Sequence, residues 1–267
     1  MAFLQDRVGV PHVSFLPYRF LLVVLSRFFA HFPEPHPRNL ELISRWFWRA
    51  ALLGPAPFKG STTGAVRALN GRIAPGEESA SAQGLLDAVA QSGPLPGPNF
   101  DRFRTNDSST KIILCALWAQ GPRTLDTGAP LTTTDIAAAL ESQTTARDLA
   151  IEVVPGNRLD RKYRPWAANR LISLDPPEAV IAGLEPDPMF EAILDDAVPL
   201  SVIRDSHLVS NEAAALLATG RGDDFLLARN KDLRAAVESF LRRRSGVDFE
   251  PTPPLDEFDL DDDEAWT

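Results

Sequence analysis

Apolar residues recur along this chain at intervals of three and four, and no run of alternating apolar and polar residues exceeds a few positions. The first spacing places side chains on one face of an α-helix, and the second would mark a half-buried strand. In "PYRFLLVVLSRFFAHF" (17–32), Leu21, Leu25, Phe28 and Phe32 form one stripe, and Leu22, Val24 and Phe29 make other sides apolar too. That pattern predicts a central helix with Pro17 in its first turn, stopped by "PEPHP" (33–37). "NLELISRWFWRAALLG" (39–54) predicts a second helix, capped by Asn39 and ended by Gly54. Its buried face is Ile43, Trp46, Phe47, Ala50 and Leu53, and Glu41, Arg45 and Arg49 lie four apart on the outer face.

The same reading predicts helices over 62–69, 79–93, 108–121, 131–142, 188–197, 211–220 and 223–244, the last breaking near Asn230. Between "EVVPGNRLDRKYRP" and "NRLISLDPP" the periodicity fails, which predicts irregular chain with extended pieces. The expected fold is therefore mainly α, an irregular multi-helix bundle with proline-rich connections. Residues 1–155 form a helical region holding the Trp/Phe-rich helices, and 156–245 form a second region continuous with it or separate. Residues 246–267 form an acidic tail expected to be disordered.

Charge sharpens the last boundary. The net charge is −9, but nine of the 36 acids fall between Gly246 and Thr267, where there is no Lys or Arg. The remaining 27 acids balance the 27 bases, so the body is formally neutral. So acidic and proline-rich a tail lacks the apolar surface to pack. It could solubilise the chain, or engage a partner as an adaptor segment. A neutral body neither demands nor excludes nucleic acid, because only a local basic face matters. The single cysteine, Cys115, excludes an internal disulfide and a cysteine metal cluster, and points to a reducing, cytoplasmic location. Phe20 to Phe32 is too short, and too broken by Arg27 and His31, for a membrane span.

Few strings suggest chemistry. Asp126-Thr127-Gly128 spells the catalytic turn of an aspartic protease, in which two aspartates share a proton. Here it occurs once, between two helical patterns, so a polar turn with Gly128 at its corner explains it. Thr132, Thr133 or Thr134 would then cap the next helix. "DSHLVS" (205–210) sets Asp, Ser and His side by side, whereas a triad draws them from separate elements; His207 reads as packed or capping. "TGRGDD" (219–224) lacks a preceding strand and a third glycine, so Gly220 ends one helix and Asp223 or Asp224 caps the next. His12, His31, His36 and His207 show no metal spacing. No catalytic, metal or cofactor-binding residue is assigned. "FDRFRTNDSSTK" (100–111) sets Arg102, Arg104 and Lys111 around a helix start, the pattern best suited to a phosphate or nucleic-acid contact.

Several segments taken in order resemble a known family. "LPYRFLLVVLSRFF", "ISRWFWRAALLG", "KIILCALWAQGPRTLDTG", "AANRLI", "DSHLVS", "DDFLLARNKDLRAAVESFL" and "PPLDEFDLDDDE" are similar to the C-terminal half of proteins carrying the ParB-like domain of unknown function 262. That family includes GmrSD-type, modification-dependent restriction and phage-defence proteins. Its ParB-like domain carries an Asp-Gly-x-Gln-Arg motif, and some members add an H-N-H nuclease; neither is found in this sequence. The resemblance implies a bacterial, non-catalytic helical module, a subunit or fragment, with a ParB-like or H-N-H partner and with DNA reached through it. It also implies that Trp46, Phe47 and Trp48 form a partner interface exposed where the other domain is missing.

Overall fold

A computed structural model describes residues 1–58, 60–92, 94–141, 149–175, 180, 184 and 198–246. The helix expected at 188–197 and the tail from 247 lie outside the described residues. The chain is mainly α. Nine α-helices are described: α1 Arg19–His31, α2 Pro37–Leu53, α3 Thr62–Asn70, α4 Glu78–Ala90, α5 Ser108–Trp118, α6 Thr133–Glu141, α7 Leu200–Ser206, α8 Asn211–Ala218 and α9 Gly222–Ser245. The extended pieces form one antiparallel pair, β1 Ala150–Glu152 and β2 Arg170–Ile172, with Ile151 opposite Leu171.

Helix α2 is the hub. It packs on α4, α9, α5 and α1, and on a π-helical turn at Phe3–Val8. Because neighbours lie on several sides, three consecutive aromatics can be buried at once: Trp46, Phe47 and Trp48 are each 0% exposed. The Trp48 indole N–H donates to the Val8 carbonyl at 3.0 Å, and its ring meets Phe240 of α9 edge-on at 4.8 Å. This corrects the expected partner interface, since the chain's own N-terminal turn and α9 cover the aromatic block. Helix α9 also packs on α5, α8 and a 3-10 turn at Ala167–Asn169. Residues on both sides of position 155 thus share one buried cluster.

Helices α2 and α9 differ from expectation in how they start and run. Helix α2 starts two residues early, with Pro37 in its first turn and the His36 ring accepting from the Arg38 N–H at 3.3 Å. Asn39 is no cap; it is buried, and its amide donates to Glu78 at 2.6 Å and Ser79 at 3.1 Å, fastening α2 to the start of α4. Helix α9 does not break at Asn230, because Phe225, Leu226, Arg229, Leu233 and Val237 hold one buried stripe through it. Neither Asp223 nor Asp224 caps α9: Asp223 accepts from the Asp160 N–H at 3.0 Å and Asp224 pairs with Arg221 at 2.8 Å. Both still sit in the first turn, where the helix dipole favours acids.

Helix α1 is less central than expected. Phe20, Leu21, Val24, Leu25 and Phe28 are buried, while Val23 remains 46% exposed.

Candidate functional site: an arginine cleft

The π-helical turn, the first half of α2 and the end of α9 enclose a cleft of about 460 Å³. Five arginines line it, Arg7, Arg38, Arg45, Arg243 and Arg244, against two carboxylates, Asp6 and Glu41. That is an excess of three positive charges on a body that is neutral as a whole. Local structure sets each of them. Arg244 donates to the Arg7 carbonyl, and Ser44 donates to the same oxygen at 3.3 Å, tying α9 and α2 to the N-terminal turn. Half-burial, then the charge of Arg243, lowers the pKa of Arg244 from its ordinary value. Arg45 is paired with Glu41, and Arg243 donates to Ser239 at 3.0 Å. Arg7, Arg38 and Arg243 are exposed.

Arginines at a helix C-terminus complement the helix dipole, which accounts for Arg243 and Arg244 by themselves. It does not account for Arg7 and Arg38, which reach the same hollow from elements some two hundred residues away in sequence. Guanidinium groups present planar, permanently charged donor forks that match phosphate and carboxylate oxygens. The cleft thus gathers guanidinium donors from three elements around one hollow, with Arg45, Arg243 and Arg244 also engaged with Glu41, Ser239 and the Arg7 carbonyl.

The residues singled out from sequence meet different fates. At the start of α5, Asp107 caps the helix by accepting from Ser109 N–H at 2.9 Å, so that terminus already carries its own anion. Arg102 and Arg104 are exposed, and Lys111 is half-buried. Burial, then the charge of Arg19, lowers the Lys111 pKa. Neighbouring arginines are engaged with rings: Arg234 lies over Phe100 at 4.4 Å and Arg170 over Phe103 at 5.2 Å.

Asp126 lies in an exposed turn, and hydrogen bonds from the Thr124 hydroxyl and the Thr127 backbone hold its carboxyl below the usual range. A protease dyad needs one carboxyl to retain a proton, the opposite shift. Gly128 forms the corner with φ +69°, and a β-carbon there would lie 2.7 Å from Val198 Cβ. Thr132 caps α6 in a reciprocal box: its hydroxyl accepts from Asp135 N–H at 3.2 Å, and Asp135 accepts its N–H at 2.8 Å.

"DSHLVS" forms no relay. Asp205 is exposed, Ser206 donates to the Ile203 carbonyl at 2.7 Å, and His207 is buried. The His207 Nε2 lies 2.8 Å from the Arg123 carbonyl, which requires the Nε2–H tautomer. The His207 carbonyl in turn accepts from Arg229 Nε at 3.2 Å and from a second guanidinium nitrogen at 3.0 Å. A third Arg229 nitrogen donates to the Ala168 carbonyl. Arg229 is 0% exposed, and burial lowers its pKa to about 10, so it stays charged at neutral pH. Its described hydrogen-bond partners are carbonyl oxygens, joining α9 to the turn after α7 and to the turn before β2.

Burial pushes His207 down to about 4, against the opposing bond to Arg123 and with help from the Arg229 charge. The unfolded chain therefore binds a proton near pH 6.5 that the folded chain refuses until about pH 4. Stability is expected to fall by about 3 kcal/mol between those values. Denaturation of His207→Gln, which keeps a donor toward Arg123, should show a shallower acid slope. Equal slopes would remove His207 as the source.

Among the described residues no three His, Cys, Asp or Glu side chains cluster to hold a metal, and no helix is long and apolar enough to cross a membrane. Cys115 is buried and its thiol pKa is raised by burial. No family model matches the chain, and no curated protein or solved structure shows significant similarity to it.

The cleft escaped sequence reasoning. Arg45 was placed on an outer face, and the run Arg242-Arg243-Arg244 is visible, but nothing in the sequence links either to Arg7 or Arg38.

Proposed function

We propose that this chain is a non-catalytic helical module of a restriction or phage-defence type protein, and that it contacts the phosphate backbone of DNA through the arginine cleft. The observation that carries the DNA contact is the convergence of five arginines from three elements in one hollow. The restriction and defence setting rests on the ordered motifs that resemble the family described above. On this reading a ParB-like or H-N-H partner supplies the chemistry, and this module holds or positions the nucleic acid.

Backbone contacts of this kind are sequence-independent and salt-dependent. A labelled 20-base-pair duplex titrated at low salt should bind roughly tenfold or more weakly to an Arg38→Glu/Arg243→Glu variant, with a smaller salt slope. Both residues are exposed, so the substitutions should leave the fold intact. Arg102→Glu/Arg104→Glu should bind like the unaltered chain. Unchanged duplex binding by the cleft variant would overturn the reading.

A further inference from the structure

We infer that the acidic tail of this same chain occupies the arginine cleft and competes there with DNA. The inference rests on the cleft being an anion site. Three observations point to this occupant. Helix α9 ends at the cleft: Gly246 closes it with φ +63°, and a β-carbon on Gly246 would lie 3.1 Å from Arg45 Nε. Arg49 donates to the carbonyls of Ser245 at 3.0 Å and Gly246 at 3.4 Å, holding the point of departure on the α2 side of the cleft. Beyond that point the chain carries nine acids and no base.

Charge and reach then decide the matter. Asp248 and Glu250 follow within four residues of Gly246, and the dense run Asp261-Asp262-Asp263-Glu264 follows within eighteen. An extended chain spans about 3.3–3.6 Å per residue, so even the distant run can fold back over a cleft whose edge is the tether itself. A ligand tethered beside its site meets it at an effective concentration near the millimolar range, so weak single contacts suffice in cis. The excess of three positive charges in the cleft suits carboxylates, whose oxygens accept from arginine forks in the same geometry as phosphate oxygens do. Pro37 and Leu40 in the cleft wall give Phe249 or Phe258 an apolar surface beside the charges. The tail is thus a tethered polyanion at a polyanion site. DNA gains the cleft only by displacing it.

The test uses the full-length chain. In one variant all nine tail acids become Asn or Gln. A labelled peptide of residues 247–267 is then titrated into this tail-neutralised protein. It should bind saturably, weaken with salt, and lose at least tenfold in affinity when Arg38→Glu/Arg243→Glu is added. Arg102→Glu/Arg104→Glu should leave the peptide affinity unchanged. The 20-base-pair duplex should bind the tail-neutralised chain about tenfold or more tightly than the unaltered chain, and the free peptide should displace it. Peptide binding that is absent, or that ignores Arg38 and Arg243, overturns the inference while leaving the cleft open to DNA. A duplex that fails to bind even the tail-neutralised chain overturns the DNA reading, and peptide binding through Arg38 and Arg243 would still support the tail.

Discussion

Arg229→Ala is expected to destabilise the fold by about 3–5 kcal/mol, the combined order of two buried carbonyls left without donors and a large buried side chain removed. The side chain is 0% exposed and makes three described donations, two to the His207 carbonyl and one to that of Ala168. Alanine removes the donors and leaves both oxygens buried without them, so the loss includes their desolvation as well as the empty volume. For a chain of this size each kcal/mol moves the melting temperature by about 2–4 °C, so a fall of roughly 10 °C should appear in a thermal melt. Arg229→Lys keeps the charge but not the planar fork, and should lose an intermediate amount. Arg229→Met keeps much of the volume and tests whether the carbonyls or the packing dominate. A loss below about 1 kcal/mol for alanine would mean that the carbonyl clamp contributes little.

Trp48→Ala is expected to destabilise by about 3–5 kcal/mol, the usual range for deleting a large buried aromatic. The indole is fully buried, touches Phe47 at 5.3 Å and Phe240 at 4.8 Å, and donates to Val8. Trp48→Phe keeps most of the apolar contact and loses the donor, so its smaller loss measures that hydrogen bond, about 1 kcal/mol. Val23→Ala, at a 46% exposed position, should change stability by no more than about 0.5 kcal/mol. Urea titration resolves all three. Trp48→Ala with native stability would restore the aromatic block as an outward-facing surface.

Sequence periodicity located most of the helices because burial follows it. Ile43, Trp46, Phe47 and Ala50 are buried as their spacing requires. Trp48 lies off that stripe and was unreadable as core, since the neighbours that cover it come from residues 3–8 and 222–245. The true cap of α2 was hidden by chemistry: Asn39 is a good cap in isolation, but Pro37 favours an earlier start and the acceptors on α4 claim the amide. Helix α7 was missed because seven residues carry too little periodicity to read. Asp126 was legible as a turn because Gly128 and the threonines after it have strong local preferences. The arginine cleft was not, because a charge pattern assembled from residues 7, 38, 45, 243 and 244 has no local signature.

The packing of α9 on α2 also sets a timetable for synthesis. Trp48 is made early, whereas Phe240, the ring that closes over it, follows more than 190 positions later. At about 5–20 residues per second, a ribosome leaves that indole without its cover for on the order of ten to forty seconds. During that interval the face of α2 that carries Trp48 lacks its α9 cover, and the arrival of α9 supplies it.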